Sequence, residues 1–210
     1  VMMLEMDGFE FTKRLKANFN ISHIPVILLT AYSSEEHQLK GIRVGADSYI
    51  TKPFSVKYLL MRIVKLIEQR EKLQRKFASE PGTVQPFINT TDRDKVFLDK
   101  LHAIIEKNMG NAEFKLETYA PSLGIGRTSF YGKLKAIVGC SPNEYVRILR
   151  MKKAAELLLS TDLNVSEIGF QVGINDPFYF SKCFKNSFGK SPSQYRKEPV
   201  RKDLDTETES

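Results

Sequence analysis

Histidine and cysteine are scarce in this chain, and that scarcity limits what it can do. Three histidines, His23, His37 and His102, are dispersed along 210 residues. No nucleophile paired with a base, Gly-rich phosphate loop or metal-ligand cluster accompanies them, so the inventory argues against a phosphoryl-transfer enzyme or a hydrolase. The two cysteines, Cys140 and Cys183, each fall inside a helical pattern without a second Cys or His at ligand spacing. Both are expected to be reduced packing residues, with no metal site and no cofactor in this chain. A run of about 18 apolar residues is also missing, as is a basic segment followed by an apolar one at the N-terminus. Neither a membrane span nor a signal peptide is therefore expected, and the chain is read as cytoplasmic and free of membrane contact.

What is present is enough apolar material for packed cores, 41% of residues, and a formal charge of +7 with a pI near 9.3. Such a balance suits a polyanionic partner. The excess is spread: residues 1–80 carry 13 basic and 9 acidic side chains, 81–198 carry 17 and 12, and 199–210 carry 2 and 4. Net charge alone does not locate a site.

Along the first stretch, helical and strand signals alternate. Phe9, Phe11, Leu15 and Phe19 recur at helical spacing between Gly8 and Phe19, and Pro25 to Leu29 is a continuous apolar run of the kind found in a buried parallel strand. A second helix is predicted from Ser34 to Val44, stopped by Gly45, then a strand from Ser48 to Ile50. A long helix from Ser55 towards Lys76 places Leu59, Ile63, Leu66, Ile67 and Leu73 on one face and runs into a charged connector. Residues 78–91, with Pro81, Gly82 and Pro86, read as a linker. The predicted division is 1–77, an α/β domain with an extended last helix; 78–91, the linker; 92–198, an all-α domain; and 199–210, a disordered tail.

Beyond the linker the pattern is helical throughout. The first helix is predicted from Asp92 to Asn108 with Val96, Leu98, Leu101, Ile104 and Ile105 as its apolar face. A short helix, a Gly-containing turn and a second helix then occur twice. The first copy is 116–123, Gly124-Ile125-Gly126 and 127–138; the second is 165–172, Gly173-Ile174-Asn175 and 176–188. Glycine permits φ > 0, which sets two short helices at a steep angle so that the second can enter a major groove. Between the copies a helix from Pro142 of about 18 residues spans roughly 27 Å at 1.5 Å per residue, approaching the distance between successive major grooves.

The segment from Asp92 to Lys197 resembles the AraC family of transcription activators. The likeness is carried by Arg127-Thr128-Ser129-Phe130-Tyr131-Gly132-Lys133-Leu134-Lys135, by Gly139-Cys140-Ser141-Pro142-Asn143-Glu144-Tyr145, and by 173–185 with 188–196. It implies that Thr128, Tyr131 and Gly132 face bases, that Arg127, Lys133 and Lys135 are placed for phosphates or guanine edges, and that Ser129 belongs to the same DNA-binding set. In the second copy, Pro177, Phe178, Ser181 and Lys182 align with groove-facing positions and Lys185 with a backbone contact. Phe130, Leu134 and Val138, like Phe180, Phe184 and Phe188, follow core spacing. Asn175 and Asp176 are expected to cap the helix rather than read bases.

The first 80 residues resemble the C-terminal half of a response-regulator receiver, a flavodoxin-like α/β domain. The carriers are 2–8, Leu29-Thr30-Ala31, Gly45-Ala46-Asp47 and Tyr49-Ile50-Thr51-Lys52-Pro53-Phe54. The resemblance makes Thr30 the hydroxyl that bonds the phosphoryl oxygen, Lys52 the ammonium that pairs with it and Tyr49 the aromatic that swings inward. The phosphoacceptor aspartate is expected just before Val1, so this chain holds none, and Mg²⁺ is expected only for a complete receiver. Asp7 is read as a helix cap.

Receiver followed directly by an AraC-type domain is the arrangement of hybrid two-component regulators. The expected parent adds upstream receiver and kinase segments and can be anchored in the inner membrane. The expected partner is double-stranded DNA; RNA polymerase and a second copy of the chain are compatible with the family. A further reading, compatible with the first, is a protein–protein adaptor using the Ser55 to Lys76 helix.

Overall fold

The computed structural model describes residues 6–79 and 92–197. Its elements are α1 (Gly8–Ala17), β1 (Ile27–Thr30), α2 (Glu35–Arg43), β2 (Ser48–Thr51), α3 (Val56–Ser79), α4 (Asp92–Lys107), two 3₁₀ turns (Leu116–Tyr119 and Pro121–Leu123), α5 (Arg127–Val138), α6 (Pro142–Ser160), α7 (Val165–Gln171), α8 (Pro177–Phe188) and α9 (Pro192–Lys197). The linker residues 80–91, the tail 199–210 and the start of the receiver motif at 2–5 lie outside the described residues. Positions 78 and 79, expected in the linker, are the last turn of α3.

Two compact units form. One contains the residues up to Asn108 together with Phe114–Arg147; the other contains Met109–Glu113 and the residues from Ile148 onward. The first unit thus joins the α/β segment to α4 and α5, and the grouping cuts within α6 rather than at the linker.

In the first unit, β1 and β2 pair in parallel with Ile27 opposite Ser48 and Thr30 opposite Thr51. Parallel neighbours need a crossover, and α2 supplies it. Leu28 and Ile50 are both buried, on opposite faces of the strand pair, since Leu28 is level with Tyr49 and Leu29 with Ile50. Asp7 caps α1 as expected: its carboxylate accepts from the Glu10 amide at 2.7 Å. Lys16 in α1 is tied to Asp47 at 2.9 Å, and the same carboxylate accepts from the Val26 amide at 2.8 Å, which anchors the entry to β1.

Two expected apolar faces differ in the structure. Along α3, Leu59 and Leu66 are half-buried while Ile63 and Ile67 are exposed, since β1 and β2 are the only strands among the described residues and offer little surface to cover that helix. On α4 the buried stripe is Phe97, Leu98, Leu101 and Ile105, and Val96 faces solvent. At 100° per residue Val96 falls off the stripe that Phe97 shares with Leu101. Cys140 lies in the bend after α5 rather than in a helix, half-buried, and burial pushes its thiol up to about 12; Cys183 is buried in α8, and both are unbridged.

The second unit has its own core, in which Met151, Ala154, Ala155 and Leu158 of α6 meet Ile168, Val172, Phe180 and Phe184. Local chemistry starts and ends its helices. Asn164 accepts from the Glu167 amide at 2.9 Å while Glu167 accepts from the Asn164 amide at 2.7 Å, a reciprocal cap for α7. Pro177 opens α8 and Gly189, at φ 74°, closes it.

Candidate nucleic-acid interface

Both copies of the repeated pattern turn on a glycine in the left-handed region, Gly124 at φ 70° and Gly173 at φ 72°. Each turn leads into a twelve-residue helix, α5 or α8. The first copy departs from expectation before its turn. Instead of one helix over 116–123 the chain makes two 3₁₀ turns, broken where Pro121 lacks the amide that a continuing helix would use.

The two recognition helices sort their side chains in the same way. On α5, Phe130, Leu134, Ile137 and Val138 are buried, and Arg127, Thr128, Ser129, Tyr131, Gly132 and Lys135 are exposed. On α8, Phe180 and Phe184 are fully buried and Cys183 is buried, while Pro177, Phe178, Lys182 and Lys185 are exposed and Ser181 is half-buried. Phe188, expected in the core, is half-buried against Phe184 at 4.7 Å between ring centres. Phe178 is 88% exposed at the first turn of α8, and Tyr179 beside it is half exposed. An aromatic ring left this open in water is suited to stacking or to a thymine methyl. Tyr179 was missed by motif alignment, although its place one residue beyond Phe178 puts it on the rim of the same face.

The helix starts differ in electrostatics. Asp176 caps α8, its carboxylate accepting from the amides of Phe178 and Tyr179 at 2.8 and 3.0 Å, as expected for this position, and Asn175 makes no such cap. At α5 the cap position is Gly126 and no side chain accepts from the first turn. The amides there, next to Arg127, face the exposed end of the helix.

Lys133 requires a correction. Expected at a phosphate or guanine edge, it is buried with its side chain fully enclosed and paired to Asp94, Nζ to Oδ1 2.5 Å. It also donates to Ser22 Oγ at 2.9 Å and to the Phe19 carbonyl at 2.5 Å. Burial lowers the ammonium's pKa while Asp94 raises it. Three residues along from Phe130, Lys133 lies on the inner face of α5, so its charge is met inside the protein rather than offered to DNA.

Thr30 and Lys52 lie at the C-terminal end of the strand pair, and Tyr49, one residue into β2, reaches Tyr32 just beyond β1. Thr30 is buried at the end of β1 and its hydroxyl accepts from the Tyr32 amide at 3.1 Å. Tyr49 on β2 donates to the Tyr32 carbonyl at 2.9 Å. Lys52, exposed, follows β2, and its amide donates to the Thr30 carbonyl at 2.6 Å. Among the described residues no group of three or more His, Cys, Asp or Glu is placed to hold a metal ion. No helix among them is long and apolar enough to cross a membrane.

Other positioning residues were not legible in any motif. Arg150, buried in α6, donates to the carbonyls of Gly173 and Asn111 and so holds the turn of the second copy. Gln74 of α3 donates to the carbonyls of Ala136 and Ile137, both at 3.4 Å. The histidines are spread among unrelated contacts: His37 stacks on Tyr32, and His102 pairs with the Tyr145 hydroxyl at 2.5 Å.

Comparison with known proteins matches the two ends of the chain to two families. Residues 119–198 match the family described as a helix-turn-helix domain, and residues 1–64 match the response regulator receiver domain. The chain is 40% identical to Histidine kinase P4 of Formosa agariphila over 93% of this chain and 14% of that protein. It is 31% identical to the transcriptional regulatory protein SpaR of Bacillus subtilis, over 72% of this chain and 68% of that one. With the lactose operon transcription activator of Staphylococcus xylosus the identity is 38%, over 53% and 40%. Among solved structures, the C-terminal domain of AraT, a response regulator from Geobacillus stearothermophilus, is 33% identical, covers 52% of this chain and 91% of that one, and superposes with a TM-score of 0.44. The chain spans less than half the length of the kinase and of the lactose operon activator.

Proposed function

Because the chain belongs to the AraC-type helix-turn-helix transcription regulators that carry a response-regulator receiver, we propose that α5 and α8 each enter a major groove of one duplex and that the receiver segment makes the chain the output end of a two-component phosphorelay. The observation that carries this reading is the matched sorting on the two helices: aromatic and aliphatic residues inward, and Arg127, Thr128, Tyr131 and Lys135 on one, Phe178, Lys182 and Lys185 on the other, outward. Cations at the edges of such a face serve phosphates, and the polar and aromatic groups between them serve base edges.

Activation of transcription is the reading that the name of the lactose operon relative supports, and contact with RNA polymerase would be its route. The Formosa agariphila relative is called a histidine kinase and is several times longer. This supports a parent with kinase and upstream receiver segments, in which Mg²⁺ would be bound by the complete receiver and a membrane anchor would sit outside this chain. A DNA partner supports a cytoplasmic location for the chain. Assembly as a homodimer on DNA fits the same reading. Footprinting on a selected duplex tests the core of it: two protected groove segments per chain, about one helical turn apart, are expected. One protected segment would remove either α5 or α8 from the DNA.

A further inference from the structure

The groove-reading role leaves one elaborate contact in the first unit unused. Lys133 of α5 directs its ammonium at three acceptors: Asp94 on α4, and Ser22 Oγ and the Phe19 carbonyl in the loop between α1 and β1. Ser22 Oγ also lies 2.8 Å from Asp94 Oδ1, which closes the cluster. Its charged and hydroxyl groups are dry: Lys133, Asp94 and Ser22 are each at most 1% exposed, while Phe19 is half-buried. Lys133 Nζ stands over the Phe19 ring at 4.2 Å, and Phe19 meets Phe97 edge-on at 5.4 Å. Two of the three acceptors thus come from the receiver segment, more than a hundred residues away in sequence.

A second contact grips the same helix one turn further on, at its C-terminal end. The carbonyls of Ala136 and Ile137, in the last turn of α5, have no intrahelical donor, and Gln74 of α3 supplies one. Both grips reach α5 from behind. Its outward face, with Arg127, Thr128, Tyr131 and Lys135, stays open.

We propose that Lys133 and Gln74 form an internal docking joint that fixes the receiver segment to the first DNA-reading helix. A change in the receiver is then delivered to α5 by direct side-chain contact. This rests on the groove-reading role given to α5 above. Physically the joint suits such a task because a buried ammonium tolerates few alternative positions: it must keep its carboxylate and its hydroxyl or lose them together. Motion of the loop at Phe19–Ser22 cannot leave Lys133, and hence α5, where it was. Lys133 is here a positioning residue, not a DNA ligand.

Hydrogen–deuterium exchange on the whole chain tests this, with Lys133→Met, Ser22→Ala and wild type compared. Lys133→Met is expected to raise amide exchange over residues 17–24 and along α5 by about tenfold or more, with α7 and α8 unchanged. Ser22→Ala removes one receiver-side acceptor without stranding a charge, and is expected to give about a threefold rise confined to the same two segments. It decides the matter if Lys133→Met fails to fold. Unchanged exchange at 17–24 and α5 in the folded variants would overturn the joint. Duplex titration at two salt concentrations supplies a second readout: Lys133→Met keeps the wild-type salt slope, whereas a slope lowered by about one would return Lys133 to a phosphate and refute the proposal. A wild-type chain that binds no duplex would sink the groove-reading role alone, and the exchange experiment would still decide the joint.

Discussion

Arg150, in the interior of α6, donates from Nη1 to the carbonyl of Gly173 at 3.1 Å and from Nη2 to that of Asn111 at 2.6 Å. The pair fixes the turn before α8, and it leaves no room there. A Cβ at Gly173 would sit 2.6 Å from the Met109 carbonyl and 2.7 Å from Arg150 Nη2, at φ 72°. Gly124, at the same place in the first copy, has φ 70° and nothing within 4 Å of a Cβ. Gly124→Ala should therefore show only the left-handed backbone penalty, about 1–2 kcal/mol. Gly173→Ala adds a backbone clash and a displaced guanidinium and should cost at least about 3 kcal/mol. Urea unfolding of both variants checks the order; equal losses would mean that the Arg150 contact does not constrain the turn.

Gly132 stands mid-helix on the outward face of α5, with open space around its Cβ direction. Gly132→Ala should stabilise the protein by about 0.5–1 kcal/mol, because glycine gives up more backbone freedom in a helix than alanine does. A loss of stability on thermal or urea unfolding would show that the site is not open.

Three lysine or arginine positions separate the DNA surface from the connector. Arg127→Ala and Lys182→Ala are expected to weaken duplex binding by at least about 1 kcal/mol. Lys72→Ala, exposed on α3, should do almost nothing. Titrations on specific and scrambled duplexes at two salt concentrations make the comparison. Equal damage from Lys72→Ala would move the DNA surface to α3.

His23 couples the first unit to pH. Its pKa is lowered from 6.5, first by burial and then by the positive charges of Lys133, Arg70 and Lys16, with Asp94 opposing. Its Nδ1 is buried without a hydrogen-bond partner among the described residues. The neutral ring is the form that the fold accepts, whereas the unfolded chain takes up a proton near its ordinary pKa. The stability tied to His23 is thus fully present above about pH 6.5 and is lost as pH falls from there towards the lowered folded value. Urea midpoints at pH 7.5 and 5.5 should fall further in the wild type than in His23→Gln; parallel falls would disprove the coupling.

Much of the fold was legible because its signals are local. Asp7 and Asp176 cap the helices that follow them, Pro142 and Pro177 open theirs, and Gly139 and Gly189 close theirs in the left-handed region. Each of these depends on a carboxylate within three residues, a ring that fixes φ, or a missing Cβ. The two glycine turns and the aromatic spacing of α5 and α8 were readable for the same reason. Where the reading failed, the deciding atoms were distant in sequence. A lysine on an amphipathic helix near a recognition motif looks the same whether it meets phosphate or protein. Lys133 is enclosed only because Asp94 lies 39 residues before it and Ser22 lies 111 before it. Likewise nothing near Arg150 announces that it will hold Gly173. The sequence by itself determined most of the helices, the caps that start and stop them, and the family of the DNA-binding half, through interactions within a few residues; the 116–123 segment, split into two 3₁₀ turns, was an exception. Only the tertiary structure decided which cations face outward, because a charge's environment in a folded chain is built by segments that sequence spacing does not relate.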